Sequence, residues 1–360
     1  MTGLEFNDRV SAIPVYPAAS TYAFDGDLVK LASNETPFPP HPQVLEAVES
    51  QLRTLNRYPD PAKSTLRRRL SERTGVAEGR IAIGNGSCEL LLAGAEAMLE
   101  PGAEVVYAWP AFSIYPHLAA MTGGRAVEVR LNDAQEHDLE AMAKEVTAAT
   151  RMVIVCNPNN PTSTALPLSE IAAFVADVPR AVCVVLDEAY CEFNLLDDPD
   201  ASVGLLDRHA NLVLLRTFSK VYGMAAFRVG FALCASEEFP TAVDQVRQPF
   251  FCNVAAQAAA TEALRHQDEV ARRVERAVAG RMQLIGGLES IGLKVADSQA
   301  NFVWVHLPED ADEAEVMRGV TERGVLIRAG GALGRENALR VTAGTEDENE
   351  RFLRALRHHL

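Results

Sequence analysis

The stretch NLVLLRTFSKVYGMAAFRVGFALC (211–234) sets a lysine, Lys220, and an arginine, Arg228, between two apolar runs. NLVLLR (211–216) and RVGFALC (228–234) are short and continuously apolar rather than alternating, the pattern of strands covered on both faces. A lysine ordinarily keeps its charge in water at the surface. Lys220 is therefore either the solvated end of a strand or an amine held on purpose at the edge of a buried sheet.

Working outward, further strand candidates are AEVVYA (103–108), RAVEVRL (125–131), RMVIVC (151–156) and AVCVVL (181–186), several of them continuously apolar, with helical segments such as LSEIAAFVADV (168–178) between them. Strands alternating with helices predict an α/β domain built on a mainly parallel sheet. In such sheets a ligand sits at the carboxyl ends of the strands. After about residue 245 the texture changes. A long charged helical stretch (268–292) leads to the strand-like ANFVWVHL, VLIRAG and ALRVTAG, and the chain closes on TEDENERFLRALRHH. Thr345 and Glu348 there have the spacing of a capping box. We expect a large α/β domain over residues 41–245, a smaller α+β domain over 246–360, and a proline-rich arm, 1–40, packed on the smaller one.

Composition narrows the function classes. A chain of 360 residues with 48% hydrophobic and 23% charged residues is ordinary globular material, long enough for one large and one smaller domain. The net charge of −15 argues against nucleic acid or an anionic membrane as partner, since either calls for a cationic footprint. MTGLEFNDRV lacks the basic and apolar regions of a secretory signal, and the six cysteines show no CxxC pairing, so a cytoplasmic protein with reduced thiols is expected. The eight histidines have no ligand spacing, and no metal is expected.

Four strand ends carry polar residues suited to chemistry. NPNNPTS (157–163) follows RMVIVC, and DEAY (187–190) follows AVCVVL. TFSK and then Arg228 follow NLVLLR, and GNGSCELLLAGAEAML (84–99) places a glycine-bounded turn before a helix beginning near Ser87. Singly, each has a plain reading as a turn or a helix cap. Together they supply what pyridoxal 5′-phosphate requires. That means an amine for its aldehyde, a carboxylate for its ring nitrogen, and a helix start with hydroxyls and a guanidinium for its phosphate.

NPNNPTS, DEAY and RTFSKVYGMAAFRVG, in this order, resemble the fold-type I pyridoxal-phosphate aminotransferases, and most closely the histidinol-phosphate aminotransferase family. KLASNETPFPP (30–40), NRYPDPAKSTLRRRL (56–70), SQANFVWV (298–305) and ALRVTAGT (338–345) extend the likeness almost end to end. The resemblance implies a seven-stranded large-domain sheet and makes Lys220 the lysine that binds the cofactor and shuttles the proton. It implies Asp187 at the ring nitrogen, Asn157 and Tyr190 at the ring hydroxyl, and Phe112 stacked on the ring. Ser87, Cys88, Thr217, Ser219 and Arg228 would surround the phosphate, with Tyr58 reaching it from the neighbouring subunit of a homodimer. Arg340 and Arg328 would hold the anionic group of the substrate, and Tyr16 and Asn34 would cover it. Plainer alternatives are a core Phe112, a turn aromatic at Tyr58 and a surface charge at Arg328. Cys88, Ser163 and Ala226 depart from residues usual in the family.

The implied reaction takes an amino donor and a 2-oxo acid. Its usual pair is L-histidinol phosphate with 2-oxoglutarate, giving imidazole acetol phosphate and L-glutamate. RTFSK, CNPNNPTS and SQANFVW resemble an aromatic amino-acid aminotransferase branch as closely. A decarboxylase of a phosphorylated amino acid shares the lysine and aspartate, and a non-enzymatic regulator would need a DNA-binding segment or a lost lysine.

Overall fold

The computed structural model describes residue 4, residues 6–13 and residues 26–360. In chain order, β1 (Val29–Lys30) precedes α1 (Pro42–Glu49), α2 (Ser64–Thr74), β2 (Ile81–Gly84), α3 (Gly86–Met98) and β3 (Glu104–Trp109). There follow α4 (Tyr115–Thr122), β4 (Arg125–Arg130), α5 (Leu139–Lys144), β5 (Thr150–Cys156), α6 (Leu168–Asp177), β6 (Cys183–Asp187), β7 (Leu212–Thr217) and β8 (Gly230–Cys234). The helices α7 (Glu238–Val246), α8 (Val254–Ala263) and the long α9 (Gln267–Glu289) lead into β9 (Lys294–Val295) and β10 (Phe302–His306). Last come α10 (Glu313–Glu322), β11 (Val325–Leu326), β12 (Arg328–Ala329), β13 (Ala338–Thr342) and α11 (Glu346–Arg357).

The seven-stranded sheet runs in the order β2-β8-β7-β6-β5-β3-β4. Its continuous apolar strands are explained by two cores, one on each face. Val153 and Val155 of β5 enter one cluster and Met152 and Ile154 the other; Val184 and Leu186 of β6 separate in the same way from Val185. Successive side chains of a strand point to opposite faces, so strands with a core on each side are apolar along most of their length, whereas β4, at the sheet edge, alternates and leaves Glu128 exposed. All neighbours from β4 to β7 are parallel, whereas β8 runs antiparallel to both β7 and β2. That reversal returns the chain to the edge it has just left.

The smaller sheet, β12-β13-β10-β9, is antiparallel and lies on a core that takes Leu284 and Leu288 from α9 and Phe352 and Leu356 from α11. The capping box at the start of α11 is present in both directions, Thr345 to Glu348 and back. Val29 and Leu31 join this core, and β1 pairs in parallel with β11, which ties the arm to the smaller unit. Past residue 245, Ala256, Ala259, Ala260 and Ala263 of α8 pack into the large core, whereas Leu284 and Leu288 of α9 join the smaller one. An alanine-rich helix carries little pattern to say which core it joins.

At the reversal, Gly230 pairs with Gly84 on one side and with Thr217 on the other. A Cβ at Gly230 would stand 2.5 Å from the backbone nitrogen of Ser87, at the start of α3. Gly230→Ala is expected to push that helix start off β8 and to cost about 1–3 kcal/mol, as other overpacking changes do. A melting temperature unchanged from that of the parent protein would contradict this close approach.

Candidate active site

The carboxyl ends of β6 and β7, the start of β8 and the start of α3 meet around a cleft of about 290 Å³. Asp187 ends β6 and Thr217 ends β7, as parallel neighbours must at one sheet edge. Arg228 precedes β8 and reaches the same edge only because that strand is reversed. Lys220 lies in the turn between β7 and β8 and lines the cleft. Its Nζ donates to the carbonyl of Ser33, on the arm, at 3.1 Å. Poor solvation pushes the amine down to about 8; Arg340 and Arg228 add to the effect, while the Glu35 carboxylate opposes it.

Asp187 is buried, and burial pushes its carboxyl up to about 6. The Tyr115 hydroxyl donates to its Oδ2 at 2.8 Å and the Ala189 N–H to its Oδ1 at 3.2 Å, and both favour the ionised form. Among the described residues it forms no ion pair within 4.0 Å, which suits a carboxylate whose cationic partner is a ligand.

On the other side of the cleft, α3 opens with Gly86 at φ +74°, and the Asn85 side chain makes no capping hydrogen bond. A Cβ on Gly86 would lie 2.7 Å from a terminal nitrogen of Arg228, so the missing side chain is what admits the guanidinium to the helix start. Arg228 is itself in the left-handed region at φ +57°, a costly conformation for a residue with a Cβ. Thr217 Oγ1 donates to Ser219 Oγ at 2.9 Å and accepts the Ser219 N–H at 3.0 Å. A helix start, two hydroxyls and a guanidinium converging in this way fit a phosphate, and the amine and carboxylate beside them fit the rest of the cofactor that the sequence resemblance implies.

Arg340, from β13 of the smaller unit, closes the cleft opposite. It is buried and donates to Asn160 Oδ1 and to the carbonyl of Ala32, both at 2.6 Å. The profile described as aminotransferase class I and II matches residues 26–356. The chain belongs to that family. It is similar to an aromatic amino acid aminotransferase from Thermobifida fusca, 43% identical over 97% of this chain and 95% of the relative. It is also similar to a histidinol-phosphate aminotransferase from Geobacillus thermodenitrificans, 42% identical over 93% and 90%. Among solved structures, histidinol-phosphate aminotransferase from Sinorhizobium meliloti in complex with pyridoxal-5′-phosphate superposes with a TM-score of 0.88 at 27% identity, covering 99% of this chain and 98% of that one.

Most of the residues singled out in the sequence line the cleft of this aminotransferase: Asn34, Ser87, Cys88, Phe112, Asp187, Tyr190, Thr217, Ser219, Lys220, Arg228, Arg328 and Arg340. Asn157 does not. Its Nδ2 donates to the carbonyl of Leu166 at 3.0 Å and its Oδ1 accepts the Leu166 N–H at 2.8 Å, so both ends of the amide are spent closing the loop after β5. Asn160, the second Asn-Pro of NPNNPTS, lines the cleft instead. Tyr58 is 81% exposed, stacks on Phe250 with ring centroids 4.4 Å apart, and lies outside the cleft. Tyr16 lies outside the described residues. Ser163, where the family usually has glycine, is buried at φ +62°, which accounts for that preference. The Cys88 thiol is pushed up to about 11, first by burial and then by the Asp187 charge, and so stays neutral.

Sequence reading passed over Tyr115 because it opens α4 within an apolar stretch, where an aromatic reads as core. Its role at Asp187 appears only once the fold brings its hydroxyl to the end of β6. Tyr115→Phe in this aminotransferase removes a group that favours ionised Asp187, and the carboxyl should then titrate higher than about 6. The acid limb of the pH–rate profile is expected to move to higher pH. An unmoved limb would remove Tyr115 from the account.

Proposed function

We propose that this aminotransferase, with pyridoxal 5′-phosphate in the cleft, passes the amino group of L-histidinol phosphate to 2-oxoglutarate, yielding imidazole acetol phosphate and L-glutamate. The observation that carries the reading is the meeting of Lys220, Asp187 and the α3–Arg228 cradle in one cleft, faced by Arg340 and Arg328. When bound, the cofactor supplies an electron sink for the pair left behind when the substrate Cα loses its proton.

The residues divide that work. Asp187, ionised, would balance a positive ring nitrogen, with Phe112 against the ring and Asn160 and Tyr190 on the side of its hydroxyl. The start of α3, Thr217, Ser219 and Arg228 would hold the phosphate tail. The Lys220 amine, pushed down to about 8, is neutral often enough near neutral pH to take the proton from Cα of the donor; it returns one to Cα of the acceptor in the second half-reaction. Arg340 and Arg328 hold the anionic group of each substrate in turn, and ping-pong kinetics follow. The relative that is 43% identical over 97% of the chain favours a second reading, with phenylalanine or tyrosine as donor.

Tyr58 and Phe250, with Leu52 and Leu55 exposed nearby in the sequence, support a homodimer in which Tyr58 enters the partner's site. Six cysteines without a disulfide are in keeping with the cytoplasm. No helix among the described residues is long and apolar enough to cross a membrane, and no group of three or more His, Cys, Asp or Glu residues among them is placed to hold a metal.

Histidinol phosphate, phenylalanine and tyrosine compared at equal concentration with 2-oxoglutarate test the donor, with Lys220→Ala as the blank. We expect histidinol phosphate to give the highest kcat/KM and the blank to lose both turnover and the lysine-linked cofactor absorbance; a faster aromatic donor would favour the second reading. For the shared site, subunits carrying Tyr58→Phe are mixed with subunits carrying Lys220→Ala. A hybrid dimer keeps one intact site, so the mixture should exceed the summed activity of the two parents. Simple additivity would refute sharing.

A further inference from the structure

The arginines of α9 have no place in the chemistry set out so far, yet two of them are buried: Arg273 is 4% exposed and Arg281 is 2% exposed. Such burial requires that the guanidinium find partners for its donors. Arg273 finds them on three elements. Its Nε donates to Glu269 Oε1, one turn earlier on the helix, at 2.9 Å. Its Nη2 donates to the carbonyl of Pro39 at 2.5 Å, and its Nη1 to the carbonyl of Val221 at 3.4 Å.

Val221 is the residue after Lys220. The turn that carries the lysine closes on itself through Gly223 N–H to the Lys220 carbonyl at 3.0 Å and Met224 N–H to the Phe218 carbonyl at 3.1 Å. The Val221 carbonyl takes its bond from the guanidinium instead. Gly223 sits at φ +68°, and a Cβ there would lie 2.5 Å from Arg273 Nη1, so the turn is bare where the arginine arrives. Pro39 belongs to the same arm segment as Ser33, whose carbonyl accepts the hydrogen bond from Lys220 Nζ. One guanidinium thus fixes both the main chain beside the lysine and the strap that its amine faces.

We propose that Arg273 is a positioning residue for Lys220: by bridging the Val221 and Pro39 carbonyls it sets where the amine stands relative to Ser33 and the cleft. It acts through geometry. Its charge is matched by Glu269, and the charges that act on the amine are those of Arg340, Glu35 and Arg228. Arg281, two turns further along the helix, supplies an internal comparison. Its Nη1 donates to the carbonyls of Phe193 and Ala300, both at 3.1 Å, and among its hydrogen bonds none reaches the lysine turn or the arm.

The inference rests on the reading of Lys220 as the amine that holds the cofactor, and its test separates the two. The holoenzyme is titrated by absorbance to obtain the pH midpoint of the lysine-linked cofactor band. Melting temperature and the kcat and KM of the donor are measured alongside. Arg273→Lys, which keeps the charge beside Glu269 but not the fork, should shift the midpoint by about 0.5 unit or more. It should lower kcat about 10- to 100-fold with KM within about threefold, the scale expected of a small misplacement at a reacting centre. Gly223→Ala, which displaces the arginine without removing it, should move the midpoint and kcat in the same sense and decides the matter if Arg273→Lys does not fold. Arg281→Met should lower the melting temperature and leave the midpoint in place. Parental midpoint and kcat in either folded lysine-turn variant, or an equal midpoint shift in Arg281→Met, would overturn the positioning role. Absence of a lysine-linked band in the parent protein would instead refute the cofactor reading itself.

Discussion

A carboxylate at the end of β6 is removed from water, and among the described residues a tyrosine hydroxyl and one backbone N–H receive it. Leaving such a charge without a close counter-ion costs on the order of several kcal/mol. Much of the site can be understood as the arrangement that would make this tolerable, since the proposed cofactor, with a positive ring nitrogen beside Asp187, would supply the missing charge. The amine of Lys220, the cradle at α3 and the aromatic wall at Phe112 all have to be placed relative to that one oxygen pair. The elements that place them come from distant parts of the chain.

The reversal of β8 solves the placement problem on the side of the α3 start. A further parallel strand would have carried Arg228 to the far edge of the sheet. Running backwards, β8 delivers it beside Lys220 after a turn of a dozen residues, and the bare Gly230 and Gly86 let the helix start and the guanidinium approach each other. The left-handed backbone of Arg228 shows that the chain accepts local strain to hold this contact.

Much of this was legible in the sequence, and what was not had physical reasons. Apolar runs gave away the strands of the large sheet other than β2, whose four residues are too short a run to stand out, but an apolar run has no direction, so the antiparallel sense of β8 was hidden. The chemistry of Lys220, Asp187 and Arg228 followed from their places at strand ends. NPNNPTS offers two Asn-Pro pairs, and only the folded loop, which spends Asn157 on the backbone of Leu166, separates the structural amide from the one that meets Arg340. Tyr115 looked like core because its ring is core; its hydroxyl matters only through a contact 72 residues away in the chain.

Among the described residues, the arm that ends at Pro40 contributes no strand to the large sheet and nothing to its main clusters, and by those measures it is an appendage. Yet its backbone accepts from Lys220 at Ser33, from Arg340 at Ala32 and from Arg273 at Pro39, while the Asn34 amide donates to the Tyr190 hydroxyl. Losing these residues would strip the lysine, the tyrosine and the Arg340 guanidinium of hydrogen-bond partners they find in one segment. The frame around the cleft is thus written in a stretch of chain apart from the strands of the large sheet.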